Sequence, residues 1–535
     1  MGHAELLLVG ILVAVAGLAA LAARLSVPYP ILLVLGGAAF GFLPELPPVS
    51  LDPEVMLVVF LPPLLYKTAI YANIRDFRTD LRGLTLNAVA LVLATMCAVS
   101  VCAHLLIPDL PWSAAFVLGA IVSPTDPVAA ATIMRRLDAP RRLVSSIEGE
   151  GLFNDATALV AYRAAIGAVV AGGFSVVHAG LTFILGAIGG IAIGLVVGWL
   201  SAQIRKRVAD IQVSVTMSLL TGYAAFVPAD ALGASGVLAT VTAGIYMGVR
   251  GPQILPAAQA RLQGYFVWDI VDFILNATLF VLIGLQLRSV VNGLSGYSAA
   301  TLTAYALAVI GVVVGGRLVW FFTVPYLIRL IDRRPSQRQR RTPPWWRLVV
   351  AWSGMRGAVS LAVALAVPLA TDSGAPFPHR DLIIFLTFAV IFATLVGQGF
   401  TLPAMVRRLN VRDDPDEENR ARLVATKAAL AQLDALADEP WTRDEGVERL
   451  RALNQFRKQR FAARAGVVDD EGYEDRSRAY QQMLLMVLDA QRQALLQMRN
   501  NGEASNEVVN QILRDLDLEE SRLEVNTRPE DFTPE

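Results

Sequence analysis

Residues 121 to 127 read IVSPTDP and residues 149 to 155 read GEGLFND, so Asp126, Glu150 and Asp155 lie in stretches otherwise apolar enough to cross lipid. An acid carried into hydrocarbon costs about 2.5–3.5 kcal/mol or more, and it needs a water-filled cavity, a partner or a transported ion. A carboxylate reachable from water can hold either a proton or a metal cation, each expelling the other. That competition is sufficient for exchange if the site opens alternately to the two sides.

The surrounding residues indicate how such acids would be positioned. Pro124 and Pro127 remove backbone donors and clash with the preceding turn, so the apolar run 113–135 cannot be one continuous helix. Broken helices at membrane depth are tolerated where they line a cavity, and their freed carbonyls and helix ends can hold a cation. Ser123 and Thr125 add hydroxyl oxygens beside Asp126. The same geometry is compatible with a plainer role in which Asp126 caps the second half-helix.

In the next run, Glu148 falls at the membrane border, and Glu150, Asn154 and Asp155 fall deeper. A separation of five residues places Glu150 and Asp155 roughly 140° apart on a helix, facing different neighbours rather than forming a dyad. One can then be an ion ligand and the other a structural partner. Cations at comparable depth are Arg163, Arg317 and Arg356, the last flanked by Gly354 and Gly357. An unpaired arginine there would be costly, so the expectation is a Glu150–Arg356 pair. Ordinary roles account for Lys67, which can snorkel, and for Asp269 and Asp272 beside Trp268 at an interface.

The elements that carry these residues are membrane helices. The chain has 535 residues, 55% hydrophobic and 17% charged, with a mean hydropathy of +0.51, which is too apolar for a soluble protein of this length. Thirteen runs, from 5–23 to 382–408, can cross a bilayer of roughly 30 Å, with 28–43 and 232–248 the shortest. They lack period-two alternation and are rich in Ala, Leu, Val and Gly, which favours helices over barrel strands.

Basic residues cluster at every second connection: Lys67 with Arg75, Arg78 and Arg82; Arg135, Arg136, Arg141 and Arg142; Arg205, Lys206 and Arg207; Arg333 to Arg341; Arg407 and Arg408. The alternation predicts an outside N-terminus, a cytoplasmic C-terminus and an odd number of spans. The N-terminal run has an acid and no basic region before it, and is expected to be a first span rather than a cleaved signal.

After Arg408 the chain becomes charged, and helical patterning in 421–437 and 480–500 predicts a cytoplasmic helical domain over 409–535, disordered at its end VNTRPEDFTPE. The formal net charge of +0 gives no reason to expect nucleic acid. Cys97 and Cys102 form no disulfide framework. There is no phosphate-binding glycine-lysine loop, no haem motif and no other sign of a cofactor or an enzyme active site.

Taken together, SPTDPVA (123–129), GEGLFNDATALV (149–160), GMRGAVSLA (354–362), FLPPLLY (60–66) and LFVLIGLQL (279–287) resemble the bacterial branch of the monovalent cation:proton antiporter-1 family, which also contains the animal sodium/proton exchangers. The resemblance runs over residues 5 to 408 and does not cover the tail. It implies a homodimer in the inner (plasma) membrane with inverted repeats and two crossed broken helices, one containing Asp126 and one near Arg356. It also implies Asp155 as the acid that binds ion and proton, Asn154 as the mark of an electroneutral exchanger, and Thr125 with Asp126 as further contributors. Asp155 and Thr125 would then ligate the metal cation, and Glu150 and Arg356 would form a structural salt bridge. Two departures stand out. Lys67 occupies a position where some relatives have an acid, and Gly151 one where several have a serine.

The expected function is electroneutral exchange of Na⁺ for H⁺, serving pH and sodium homeostasis. K⁺/H⁺ or Li⁺/H⁺ antiport on the same fold is the alternative, and a cation channel or sensor with the tail as its output is a more distant one.

Overall fold

The computed structural model describes residues 3–25, 27–43, 53–72, 83, 85–137, 139–170, 176–208, 210–254, 258–292, 294, 296–331, 342–409, 411, 415–437, 439, 442–469, 472–501, 503 and 505–524. Arg75, Arg78, Arg82, Arg333 to Arg341 and the terminal VNTRPEDFTPE lie outside these. The described chain is all-α apart from one isolated bridge, Ala370 to Pro376. It divides into two units, Met1–Asp413 and Asp414–Glu535.

The first unit contains α1 (His3–Arg24), α2 (Tyr29–Gly41), α3 (Pro53–Ile70), α4 (Leu86–Leu106), α5 (Trp112–Val122), α6 (Pro127–Arg136), α7 (Arg141–Val170) and α8 (Val176–Arg205). It continues through α9 (Ile211–Ala231), α10 (Gly236–Ile254), α11 (Ala258–Asn292), α12 (Ala299–Ile331), α13 (Pro344–Trp352), α14 (Ala358–Leu365) and α15 (Arg380–Arg408). Among the described residues seven helices are long and apolar enough to cross a membrane, and three shorter apolar helices accompany them. The polar residues Asn154, Asp155 and Arg163 hold the mean hydropathy of α7 down, although it runs 30 residues without a break. The chain is a multi-pass membrane protein built from helices, several of them discontinuous.

Two discontinuities follow directly from local sequence. Between α5 and α6, Pro127 occupies the first turn of the second half-helix, where its missing N–H costs nothing. Between α13 and α14, the stretch Ser353 to Gly357 leaves the helix and Gly357 is extended. Two further irregularities are π-turns, at Leu86–Leu91 and at Ala393–Gln398; such turns frequently mark functional sites.

Packing separates the unit into two bodies. The larger core joins α5, α6, both ends of α7, α11, α13, α14 and α15 around residues such as Leu118, Ile121, Met134, Leu143, Phe280 and Leu361. A second body joins Leu61, Leu65, Tyr66 and Ala69 of α3 to Ala225 and Phe226 of α9, to Val237, Ala239, Val241 and Ala243 of α10 and to Trp268 of α11. Ala156 of α7 packs in this second body, so α7 runs along the boundary. The unit Asp414–Glu535 contains α16 (Pro415–Leu436), α17 (Asp444–Arg464), α18 (Tyr473–Asn500) and α19 (Asn506–Glu524). Surface ion pairs join neighbours there, Arg451 to Asp434 at 2.8 Å and Arg492 to Asp517 at 2.7 Å.

Candidate ion-binding site

The two broken helices meet at their breaks. The backbone N–H of Asp126 donates to the carbonyl of Met355 at 2.8 Å, tying one extended segment to the other. The Asp126 side chain caps α6, its Oδ1 accepting from the N–H of Val128 at 2.8 Å. Gly357 lies against that carboxylate so closely that a Cβ there would overlap Asp126 Oδ2. The start of α14 therefore approaches the same acid that caps α6.

The opposite helix ends face arginines. Arg356 donates from Nε to the carbonyl of Val122, at the end of α5, at 3.1 Å, and from Nη1 to the carbonyl of Gly354. Arg317 donates from Nε to Ala351 and from Nη2 to Val350, each at 3.1 Å, covering the end of α13. Cations thus sit at the carbonyl ends and a carboxylate at the amide ends, the favourable sense for both helix dipoles.

The partner of Glu150 differs from the sequence expectation. Its carboxylate is paired with Arg317, both side chains being buried, whereas Arg356 spends its donors on backbone carbonyls. The physical reason is that a break in α5–α6 leaves carbonyls that need a donor, and Arg356, itself in a break, reaches them. Arg317 comes from the continuous helix α12 and passes beside Gly354 to serve both Glu150 and the end of α13.

Glu150 collects further donors. Thr125 Oγ1 donates to its Oε1 at 3.3 Å, and Asn87 Nδ2, from the π-turn of α4, lies 3.5 Å from its Oε2. Trp320 Nε1 in turn donates to Asn87 Oδ1 at 3.2 Å. Asn154 Nδ2 donates to Thr125 Oγ1 at 2.8 Å, so Asn154 and Thr125 link the break to the Glu150–Arg317 pair. Asn154 Oδ1 is buried and has no hydrogen-bond partner among the described residues.

Asp155 faces elsewhere, as a five-residue separation from Glu150 requires. It lines a cavity of about 60 Å³ together with Thr125, Asp126, Gly151, Gly357 and Ser360. At roughly 10–15 Å³ for each water centre, that volume holds a small cation with some of its water. Pro124 and Pro127 are also in the lining. The structure thus brings Asp155, Asp126 and Thr125 to one cavity, and places Glu150 and Arg356 behind it with separate partners. A Cβ on Gly151 would meet the ring of Pro127 at 2.5 Å, which explains why a serine would not fit here without movement.

Several contributors carry weaker sequence signals. Thr68 and Asn276 line the cavity from α3 and α11, and Asn87 supports Glu150. A lone amide or hydroxyl in an apolar run was the only signal available for these. Arg317 was one of three candidate cations, and only its place in space selects it for Glu150.

Comparison with known proteins agrees with this architecture. The family described as "Sodium/hydrogen exchanger, transmembrane" matches residues 10–408. An uncharacterised Na⁺/H⁺ exchanger of Mycobacterium tuberculosis is 37% identical over 507 residues, covering 94% of this chain and 92% of that protein. A sodium, potassium, lithium and rubidium/H⁺ antiporter of Bacillus subtilis is 32% identical over 395 residues, covering 71% of this chain and 58% of that protein. The sodium proton antiporter MjNhaP1 of Methanocaldococcus jannaschii, solved at pH 8, is 20% identical and shares the fold with a TM-score of 0.57, covering 75% of this chain and 96% of that one. With a family match spanning nearly the whole membrane unit and broken helices that meet beside a cavity lined by two carboxylates, this chain belongs to the sodium/hydrogen exchanger family of secondary cation/proton antiporters.

Proposed function

We propose that the chain exchanges one Na⁺ for one H⁺ per cycle across the plasma membrane, with Asp155 as the group that alternates between proton and cation. The observation that carries this reading is that Asp155 lines the cavity at the crossing while the other deep acids have fixed partners. Glu150 is paired with Arg317. The Asp126 carboxylate is engaged at the amide end of α6. One positive charge then moves each way. Thr125 offers backbone and hydroxyl oxygen to the cation, and Asn154 orients Thr125.

Broader cation use, K⁺ or Li⁺ in place of Na⁺, is supported by the name of the Bacillus subtilis relative. The alternation of basic clusters supports thirteen spans with the N-terminus outside and the C-terminal unit in the cytoplasm, where it would act as a regulatory domain. Homodimerisation and inverted repeats follow from family resemblance.

The test is Na⁺-driven recovery of a pH gradient in proteoliposomes held at zero and at strongly negative potential. A charge crossing the full field is worth about 2.3 kcal/mol per 100 mV, so equal rates are expected only for a neutral cycle. A current that scales with Na⁺ flux would show that a second proton travels and that Asp126 or Glu150 also titrates.

A further inference from the structure

Beside the cavity stands an ion pair that the exchange chemistry does not use. Lys67, in the last turn of α3, has its Nζ 2.9 Å from Asp272 Oδ2 and 3.4 Å from Asp269 Oδ1 on α11. The lysine and Asp272 are largely buried, at 14% and 24% side-chain exposure, whereas Asp269 is 71% exposed. The other oxygen of Asp272 accepts from Asn276 Nδ2 at 2.9 Å. Asn276 lines the cavity that holds Asp155 and Asp126, and so does Thr68, the residue after Lys67.

The pair therefore stands at the rim of the cavity, one residue from one wall and one helical turn from the other. The α3 wall belongs to one packing body, and α11 runs from that body, where Trp268 packs with Tyr66, into the other. Around Lys67, α3 packs Leu65, Tyr66 and Ala69 against α9 and α10. Beyond Asp272, α11 packs Ala277, Leu279, Phe280 and Val281 into the core that contains both broken helices. Lys67 thus joins α3 to α11 beside the cavity, at the point where α11 passes from one body into the other.

We propose that Lys67 is a positioning residue, a latch that holds the α3 wall against the α11 wall at one mouth of the ion cavity and must release for an ion to pass there. The chemistry suits the task. An ammonium is a compact charge on a flexible stem with three donors, and here two carboxylates share it. On release, Asp272 remains hydrogen-bonded to Asn276, and Asp269 is already in water, so neither acid is left buried and bare. A second pair, Arg163 with Asp230, joins α7 to α9 across the same boundary, but both side chains are close to half exposed. Successive spans run in opposite directions, which puts this pair at the other membrane face; water screens it more, and it holds less firmly.

The role in turnover rests on the antiporter reading, but the latch itself can be read without transport. In full-length protein carrying Cys97→Ala and Cys102→Ala, a Thr68→Cys thiol reports on the rim. The rate of its modification by a membrane-impermeant thiol reagent, applied to each face in turn, is the measurement. Lys67→Met and Asp272→Asn are each expected to raise that rate roughly fivefold from the Lys67 face only. Lys67→Arg should leave it slow, and the exchanged pair Lys67→Asp with Asp272→Lys should restore the slow rate.

Unchanged rates in both single variants, equal acceleration from both faces, or an exchanged pair that stays fast would each overturn the latch. Asp272→Asn keeps the test open if Lys67→Met fails to fold. A parent protein without Na⁺-driven proton flux would remove the antiporter reading and leave this result standing.

Discussion

Arg317 and Glu150, 167 residues apart in sequence, form a buried ion pair behind the crossing of two broken helices. The same guanidinium hydrogen-bonds Ala351 and Val350, so one side chain holds an acid and finishes a helix. Arg317→Ala should therefore cost about 3–5 kcal/mol, since it leaves a bare buried carboxylate. Adding Glu150→Gln should recover part of that loss but not the carbonyl contacts. Thermal unfolding in detergent of the single and double variants gives the coupling; strict additivity would mean that the two side chains do not stabilise one another.

Arg356→Ala should destabilise too, but with less recovery from Glu150→Gln, because its hydrogen bonds run to Val122 and Gly354. The same unfolding series compares the two arginines. Equal rescue of both would assign Arg356 a direct share in the Glu150 pair.

Asp155→Asn should abolish exchange and leave the protein folded. The substitution removes the proton acceptor and the cation ligand together, yet deletes a charge whose burial costs energy. Flux assays on purified, monodisperse protein decide the matter; near-normal Na⁺-driven proton movement would move the assignment to another acid.

Protons and Na⁺ compete for one carboxylate, so acidification should weaken apparent Na⁺ affinity. In the range where Asp155 is mostly protonated, the Na⁺ concentration for half-maximal exchange should rise about tenfold for each unit by which pH falls, by simple mass action. The maximal rate at saturating Na⁺ should change much less. A half-maximal concentration independent of pH would mean that proton and cation occupy separate groups.

Gly357→Ala should impair exchange more than its size suggests. A methyl group there overlaps the Asp126 carboxylate, whereas at Gly167 on α7 the added methyl meets open space. Displacing a positioned group by about 1 Å can cost on the order of a hundredfold in rate. Comparable flux from Gly357→Ala and Gly167→Ala would show that the position of Asp126 does not matter to transport.

Much of this architecture is legible in the residues themselves. Pro124 and Pro127 locate the first break because a proline acts locally, and the five-residue step from Glu150 to Asp155 separates their neighbours by helix geometry alone. The partner of Glu150 was not legible, because three arginines of similar depth compete and the choice depends on how α12 packs beside Gly354. Lys67, Asp269 and Asp272 look like separate interfacial residues in sequence. Only the approach of α3 to α11 makes them a cluster. Asn87 was hidden in the same way, in a run whose helical pattern gives no hint of a π-turn.

The contacts that complete the crossing join distant parts of the chain: Val122 waits for Arg356, 234 residues later, and the amide of Asp126 waits for Met355. Membrane helices insert first and associate afterwards, so biogenesis passes through a stage at which α5 and α6 are in the bilayer with open ends. A nascent chain halted before Ser353 would present that unfinished break to quality control. Completion of the last spans is then also the step that renders the earlier ones fit to remain in the membrane.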